Sequence, residues 1–223
     1  MNKKKDMKNS VYARITGISL LLMAIVAMFS FGFVYSSILV AENALATGNN
    51  VKQQSDLFLN GLLGWVMVAV LDVIVSIGLY KSFKGIQLKL SAVAAAIRIV
   101  YTAFLVIAIW QQGLAYVNRV TYSEHELYNY LVAFESIWTQ GLIIFGFHLL
   151  LLAAIAFKAD IISSVYGWLL AVAGIGYVLL SSLKALLGNI EWLSTLEMIL
   201  ATPMAVGELA LAIWLIVKAK KFD

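Results

Sequence analysis

The chain has 223 residues, of which 62% are hydrophobic and 13% charged, and it carries a formal net charge of +4. It is far more apolar than a soluble domain, where roughly a quarter of residues are charged, so the composition reads as a membrane protein of one domain, residues 1–223. Cys is absent, which excludes disulfide frameworks and thiolate metal sites, and nothing in the basic excess points to nucleic acid.

Residues 1–14 are basic, with Lys3, Lys4, Lys5, Lys8 and Arg14, and lead into an apolar run over 15–40. That run is much longer than the roughly 7 to 15 residues of a secretory signal core. It is therefore read as a retained first span, despite the cleavage-like Ala44-Leu45-Ala46 that follows. A polar connection precedes the second span, 57–80, and Lys81, Lys84 and Lys89 crowd a short link to the third, 87–110. In the long polar segment 111–136, Ser123 and Glu126 have the spacing of a capping box, so a helix is expected to start there. That helix either lies along the interface or continues into the fourth span, 137–157. Lys158, Ala159 and Asp160 allow only a tight turn before the fifth span, 161–183, where Gly167, Ala171 and Gly174 share one face suited to close helix approach. A last loop leads to the sixth span, 194–217. The expected fold is all-α: a polytopic bundle of six transmembrane helices.

Cytoplasmic loops are enriched in Lys and Arg. Lys3, Lys4, Lys5, Lys8, Arg14, Lys81, Lys84, Lys89, Lys158, Lys218, Lys220 and Lys221 fall on one side of this topology, and only Lys52, Arg119 and Lys184 on the other. Both termini are therefore expected to be cytoplasmic. Trp110, Trp138 and Trp192 fall at the opposite helix ends, where an aromatic belt would place them.

Arg98 remains, near the middle of the third span. A guanidinium cannot shed its proton, and at bilayer depth it costs about 2.5 to 3.5 kcal/mol on insertion scales. Counting from the basic helix ends at about 1.5 Å per residue puts Asp72 at ~12 Å depth, Arg98 at ~16 Å, and His148 and Glu208 at ~14 Å each. These four residues form one predicted polar layer. Ala201, Ala205 and Ala212 lie on the helix stripe of Glu208, and Ser91, Ala94, Tyr101 and Thr102 on that of Arg98, so both stripes are expected to face the bundle interior. Pro203 removes a backbone bond five residues before Glu208 and is expected to kink the helix. Tyr101, Thr102, Pro203 and Tyr177 are secondary site candidates.

Intramembrane ionisable groups mark solute paths or proton relays unless they only fix helix register. The expectations are thus a small-solute or proton-coupled transporter, a non-catalytic sensor or partner-binding module, or, least supported, an intramembrane enzyme. Two His residues and no P-loop, dinucleotide fingerprint or G-x-S-x-G argue for no metal, no cofactor and no catalytic residues. With Arg98 positive and both carboxylates ionised, the layer balances only if His148 takes a proton or one carboxylate keeps one.

The strings ARITG, DVIVSIGLY with Asp72, AAAIRIV with Arg98, FGFHLLLL with His148, GWLLAVAGIGY and VGELALAIWLIVK with Glu208 resemble a family of bacterial integral membrane proteins, domain of unknown function 4386. The resemblance runs from Ala13 to Lys218 and implies six helices in a bacterial cell membrane, with no activity attached. The family usually has a proline near Ser163 or Ser164, which this chain lacks.

Overall fold

The computed structural model describes residues 8–188 and 190–223, so Lys3, Lys4 and Lys5 of the topology argument lie outside the described residues. Backbone N–H and C=O groups within a bilayer must be paired inside the protein, and apolar runs of this length satisfy that as helices. The first span comprises α1 (Asn9–Ala27), a π-helical stretch (Met28–Tyr35) and a closing turn, α2 (Ser36–Ile38). A short helix, α3 (Ala44–Gln53), precedes the others: α4 (Ser55–Phe83), α5 (Leu88–Val117), α6 (Glu124–Lys158), α7 (Ser164–Leu187) and α8 (Glu191–Val217). A 3-10 turn, Ala219–Phe222, follows. Six helices are long and apolar enough to cross a membrane, and no strand occurs among the described residues. The chain is an all-helical, multi-pass membrane protein.

Each spanning helix packs on its sequence neighbour, and α8 returns to α1, so the six form a closed ring. Ser10 at the start of α1 hydrogen-bonds Asp223 through both its N–H (3.1 Å) and its hydroxyl (2.7 Å), which puts the start of α1 and Asp223 on one face. We call it the termini face and its opposite the far face. On the termini face Phe222 inserts between Phe83 and Trp214, with both ring centroids at 5.5 Å, and Lys221 Nζ donates to Ile161 O.

Several boundaries shift from the sequence reading. The helix started by Ser123 runs on unbroken through the fourth span to Lys158, and the capping box is formed: Ser123 N–H donates to Glu126 Oε2 at 2.8 Å, and the Glu126 N–H donates back to Ser123 Oγ. The fifth helix begins at Ser164, three residues later than expected, with Ser163 as its N-cap accepting from the Val165 N–H. Residues 184–187, assigned to a loop from sequence, complete α7. Gly174 meets α6 as the small-residue face predicted: a Cβ there would lie 2.8 Å from Gly146 O, and one at Gly146 would lie 2.8 Å from Gly174 O. Only glycine at both positions lets these backbones approach so closely.

The three tryptophans at the far helix ends differ in their surroundings. Trp138 is half-buried, its ring 5.0 Å from Trp65 and 4.7 Å from Phe31, whereas Trp110 and Trp192 are exposed. The π-helical stretch brings Phe31 and Tyr35 into this cluster. Ser36 Oγ donates to Phe31 O five residues back, and Tyr35 stacks on Phe31 at 5.2 Å and against Phe134 at 5.4 Å. On the same turn, Val34 and Ser30 close on Gly61 and Gly64 of α4. The far half of the first span therefore leans onto α4 and α6 and away from α8.

Candidate functional site

The four residues predicted to share a layer meet at Arg98. Its Nε donates to Asp72 Oδ1 at 2.8 Å and its Nη2 pairs with the same oxygen at 2.6 Å. Nη1 lies 3.1 Å from His148 Nε2 and 3.1 Å from Glu208 Oε1. Nη2 also reaches the thioether of Met23 at 3.8 Å, and the guanidinium stands over the Phe145 ring at 5.3 Å. A guanidinium has five N–H donors, and these five contacts account for all of them. The acceptors come from α1, α4, α6 and α8, so five of the six spans touch one group.

The ring nitrogens of His148 fix its state. Nδ1 is 2.9 Å from Ala94 O, which can only accept, so Nδ1 carries the proton. Nε2 faces Arg98 Nη1, which can only donate, so Nε2 offers its lone pair. His148 is neutral in this geometry, and of the two ways to balance the layer the protonated carboxyl is the one that fits. The two carboxyls are held unequally. Asp72 takes two short bonds on one oxygen and is 0% exposed, although its Oδ2 has no hydrogen-bond partner among the described residues. Glu208 takes one longer bond, and its side chain is 21% exposed.

The direction of that exposure follows from α8. Ala212, one turn toward the termini face, is fully buried against α1, and a Cβ on Gly17 would lie 2.5 Å from its carbonyl. Ala205 and Ala201, one and two turns toward the far face, are exposed. The expected interior stripe is thus half right. Beyond Glu208, Met204 and Gly207 turn inward instead, Gly207 closing on Leu169 O, because the first span has left α8 for α4 and α6.

The secondary candidates hold positions around this centre. Tyr101 is buried with its ring 4.9 Å from Phe145, and its hydroxyl accepts from Trp138 Nε1 at 3.3 Å. Thr102 turns its hydroxyl back onto Arg98 O at 2.9 Å, a bond within its own helix. Tyr177 packs edge-on to Phe145 at 5.2 Å, close enough to Glu208 to interact with its charge. Pro203 sits inside α8, which continues through it. Met23 and the Ala94 carbonyl were not anticipated. Phe145 was legible in principle, three residues before His148 on one helix face.

A separate cavity of about 410 Å³ opens on the far face, lined by Glu42, Tyr128, Glu135, Thr139, Gln140 and Lys184 among others, and none of the four cluster residues lines it. Among the described residues no group of three or more His, Cys, Asp or Glu is arranged to hold a metal ion.

The family model described as Domain of unknown function (DUF4386) matches residues 15–219. The chain belongs to this family. The DUF4386 match includes Asp72, Arg98, His148 and Glu208. A protein of Archaeoglobus fulgidus described as "Uncharacterized protein" is similar to this chain, 28% identical over 162 residues, covering 73% of this chain and 85% of that protein. No solved structure matches the chain.

Proposed function

We propose that this multi-pass membrane protein is a proton-coupled transporter of a small polar solute, with the Arg98 cluster as its coupling site and Glu208 as the residue that takes up and releases the proton. The observation that supports it most is the inequality of the two carboxyls: Asp72 is locked to Arg98 by two short bonds, while Glu208 holds by one and alone has exposure. A layer with one guanidinium, two carboxyls and a neutral imidazole carries one excess negative charge, which is costly at this depth unless a proton joins it. Glu208 is the carboxyl best placed to receive that proton. In this reading both termini face the cytoplasm, following the distribution of Lys and Arg, and the far face opens outward in a cell membrane.

A non-catalytic module is the second reading, favoured by the complete pairing of the Arg98 donors and by the 0% exposure of Asp72, Arg98 and His148. Catalysis has less support, because both nitrogens of His148 are engaged and leave no base for a serine nucleophile. The protein would be reconstituted into liposomes containing a pH-sensitive dye, and proton movement followed under an imposed gradient. Wild type is expected to dissipate the gradient in the presence of its solute, and Glu208→Gln to be silent. Equal behaviour of wild type and Glu208→Gln in a screen of small polar solutes would remove the transport reading.

A further inference from the structure

Resting on the proposed proton exchange at Glu208, we infer that the Arg98 guanidinium is a binding site for a small carboxylate solute and that the Glu208 carboxylate occupies the place such a solute takes. Three of the five N–H donors of Arg98 are committed to groups with no exposure, two to Asp72 and one to His148, which is held in turn by Ala94 O, and a fourth rests on the buried Met23 thioether at 3.8 Å. The fifth, on Nη1, points to Glu208 Oε1, and Glu208 is the cluster member that is exposed. The exchangeable position on Arg98 is therefore one already filled by a carboxylate, and guanidinium N–H groups match carboxylate oxygens in geometry and charge.

The vacated donor fits the same class of ligand. When a proton adds to Glu208, Nη1 loses its ionised acceptor. An incoming monoanion supplies one again and returns the layer to the charge it carries with Glu208 ionised. A cation would meet the guanidinium directly, and a neutral solute would leave Nη1 without an ionised partner. Exchange of Glu208 for a free carboxylate, with one proton taken up, leaves the net charge of the layer unchanged, and no covalent bond forms or breaks. The groups within reach of Glu208 agree with this: Asp72 from α4, already paired, Arg98 from α5 and Tyr177 from α7, while neutral His148 from α6 and the Met23 thioether from α1 share the Arg98 guanidinium. Arg98 is the one cation among them. Ala205 and Ala201 leave the approach along α8 free of bulky side chains, which suits a short carboxylate.

The test is carboxylate rescue. Wild type and Glu208→Ala would be purified in detergent and melted in mildly alkaline buffer with chloride replaced by acetate or formate at matched ionic strength, and with ethylammonium as the cationic control. At about ten times its dissociation constant, acetate is expected to raise the midpoint of Glu208→Ala by about 3 to 6 °C and to leave wild type unmoved. Should Glu208→Ala fail to fold, Glu208→Gln takes its place, and wild type in mildly acidic formate is expected to shift in the same direction. Midpoints that move no more in the variant than in wild type, or that move equally with ethylammonium, would overturn the site. The measurement needs no gradient, so it separates from the transport reading. A carboxylate shift without flux keeps the site and removes transport, and flux without the shift does the reverse.

Discussion

The two halves of the ring are built from the same helices and packed by different means. On the termini side, small residues bring backbones together: Gly17 lies on Ala212, Leu215, Ala156 and Ile155 are buried, and the tail sets Phe222 between Phe83 and Trp214. On the far side, where Gly61 and Gly64 also admit Val34 and Ser30 closely, aromatic rings fill much of the space between the helices. Phe31, Trp65, Phe134 and Trp138 form one cluster, within which Trp65 Nε1 is buried without a partner among the described residues, and the cavity beside Glu135 and Lys184 opens nearby. Close backbone packing seals, and ring packing leaves gaps. The polar layer lies between the two, and along α8 Ala212 is buried on one side of Glu208 while Ala205 and Ala201 are exposed on the other.

The comparison breaks most severely at Arg98, which belongs to neither half. Arg98→Ala strands Asp72 and Glu208 and is expected to lower stability by about 3 to 5 kcal/mol. Combining it with Asp72→Asn and Glu208→Gln should recover most of that loss. Thermal melts in detergent compare the single and triple variants, and a single variant that melts like the parent at neutral pH means Arg98 is not buried against the two carboxylates.

Glycine substitutions separate packed from open regions. Gly146→Ala places a Cβ against Gly174 O and Val178 and is expected to cost about 1 to 3 kcal/mol by overpacking. A Cβ on Gly113, toward the far end of α5, meets nothing within 4 Å, so Gly113→Ala should instead gain up to about 1 kcal/mol from helix propensity. Equal effects at the two positions would mean that the helices are no closer at Gly146 than at the far end.

The seal itself is weaker. Phe222→Ala removes the ring between Phe83 and Trp214, at an expected cost of about 1 to 2 kcal/mol for a half-buried side chain. Because the chain has no cysteine, Ser82→Cys provides a clean reporter: it should react slowly with a thiol reagent in the parent and quickly beside Phe222→Ala. The smallest effect belongs to Asp223. Hydrogen bonds from the hydroxyl and the N–H of Ser10 hold its carboxyl below the ordinary value of 3.8. Its contribution is therefore present above that value and lost as pH falls through the lower, folded one. Limited proteolysis of the tail is expected to accelerate only in that acidic range, and Asp223→Asn to show the faster rate already at neutral pH.

The polar centre was legible because charge is rare in apolar helices. Asp72, Arg98, His148 and Glu208 were identified by type, and their common depth followed from counting at constant rise per residue. Which way a helix turns was harder to read. In a soluble bundle the outer face is polar, but here Ala201 and Ala205 on the exposed face resemble Ala212 on the buried one, so periodicity cannot separate inside from outside. The π-helical stretch Met28–Tyr35 carries no Pro or charge to mark it, and it decides where the first span leaves α8. Met23 and Ala94 O were invisible for another reason. A thioether and a backbone carbonyl are ordinary in any helix, and only the tertiary arrangement makes them partners of Arg98 and His148.

The order of synthesis gives the Asp72 and Arg98 pair a second role. A chain is made from its amino end, so α4 is complete before α5, and the link between them, residues 84–87, is too short to let the two helices part. The guanidinium thus enters the bilayer beside a counter-ion that is already there, as half of a neutral hairpin, before His148 or Glu208 has been translated. The Glu208 bond comes last, when α8 closes the ring. It completes the assembled protein without having been needed to bring Arg98 across the threshold of the membrane.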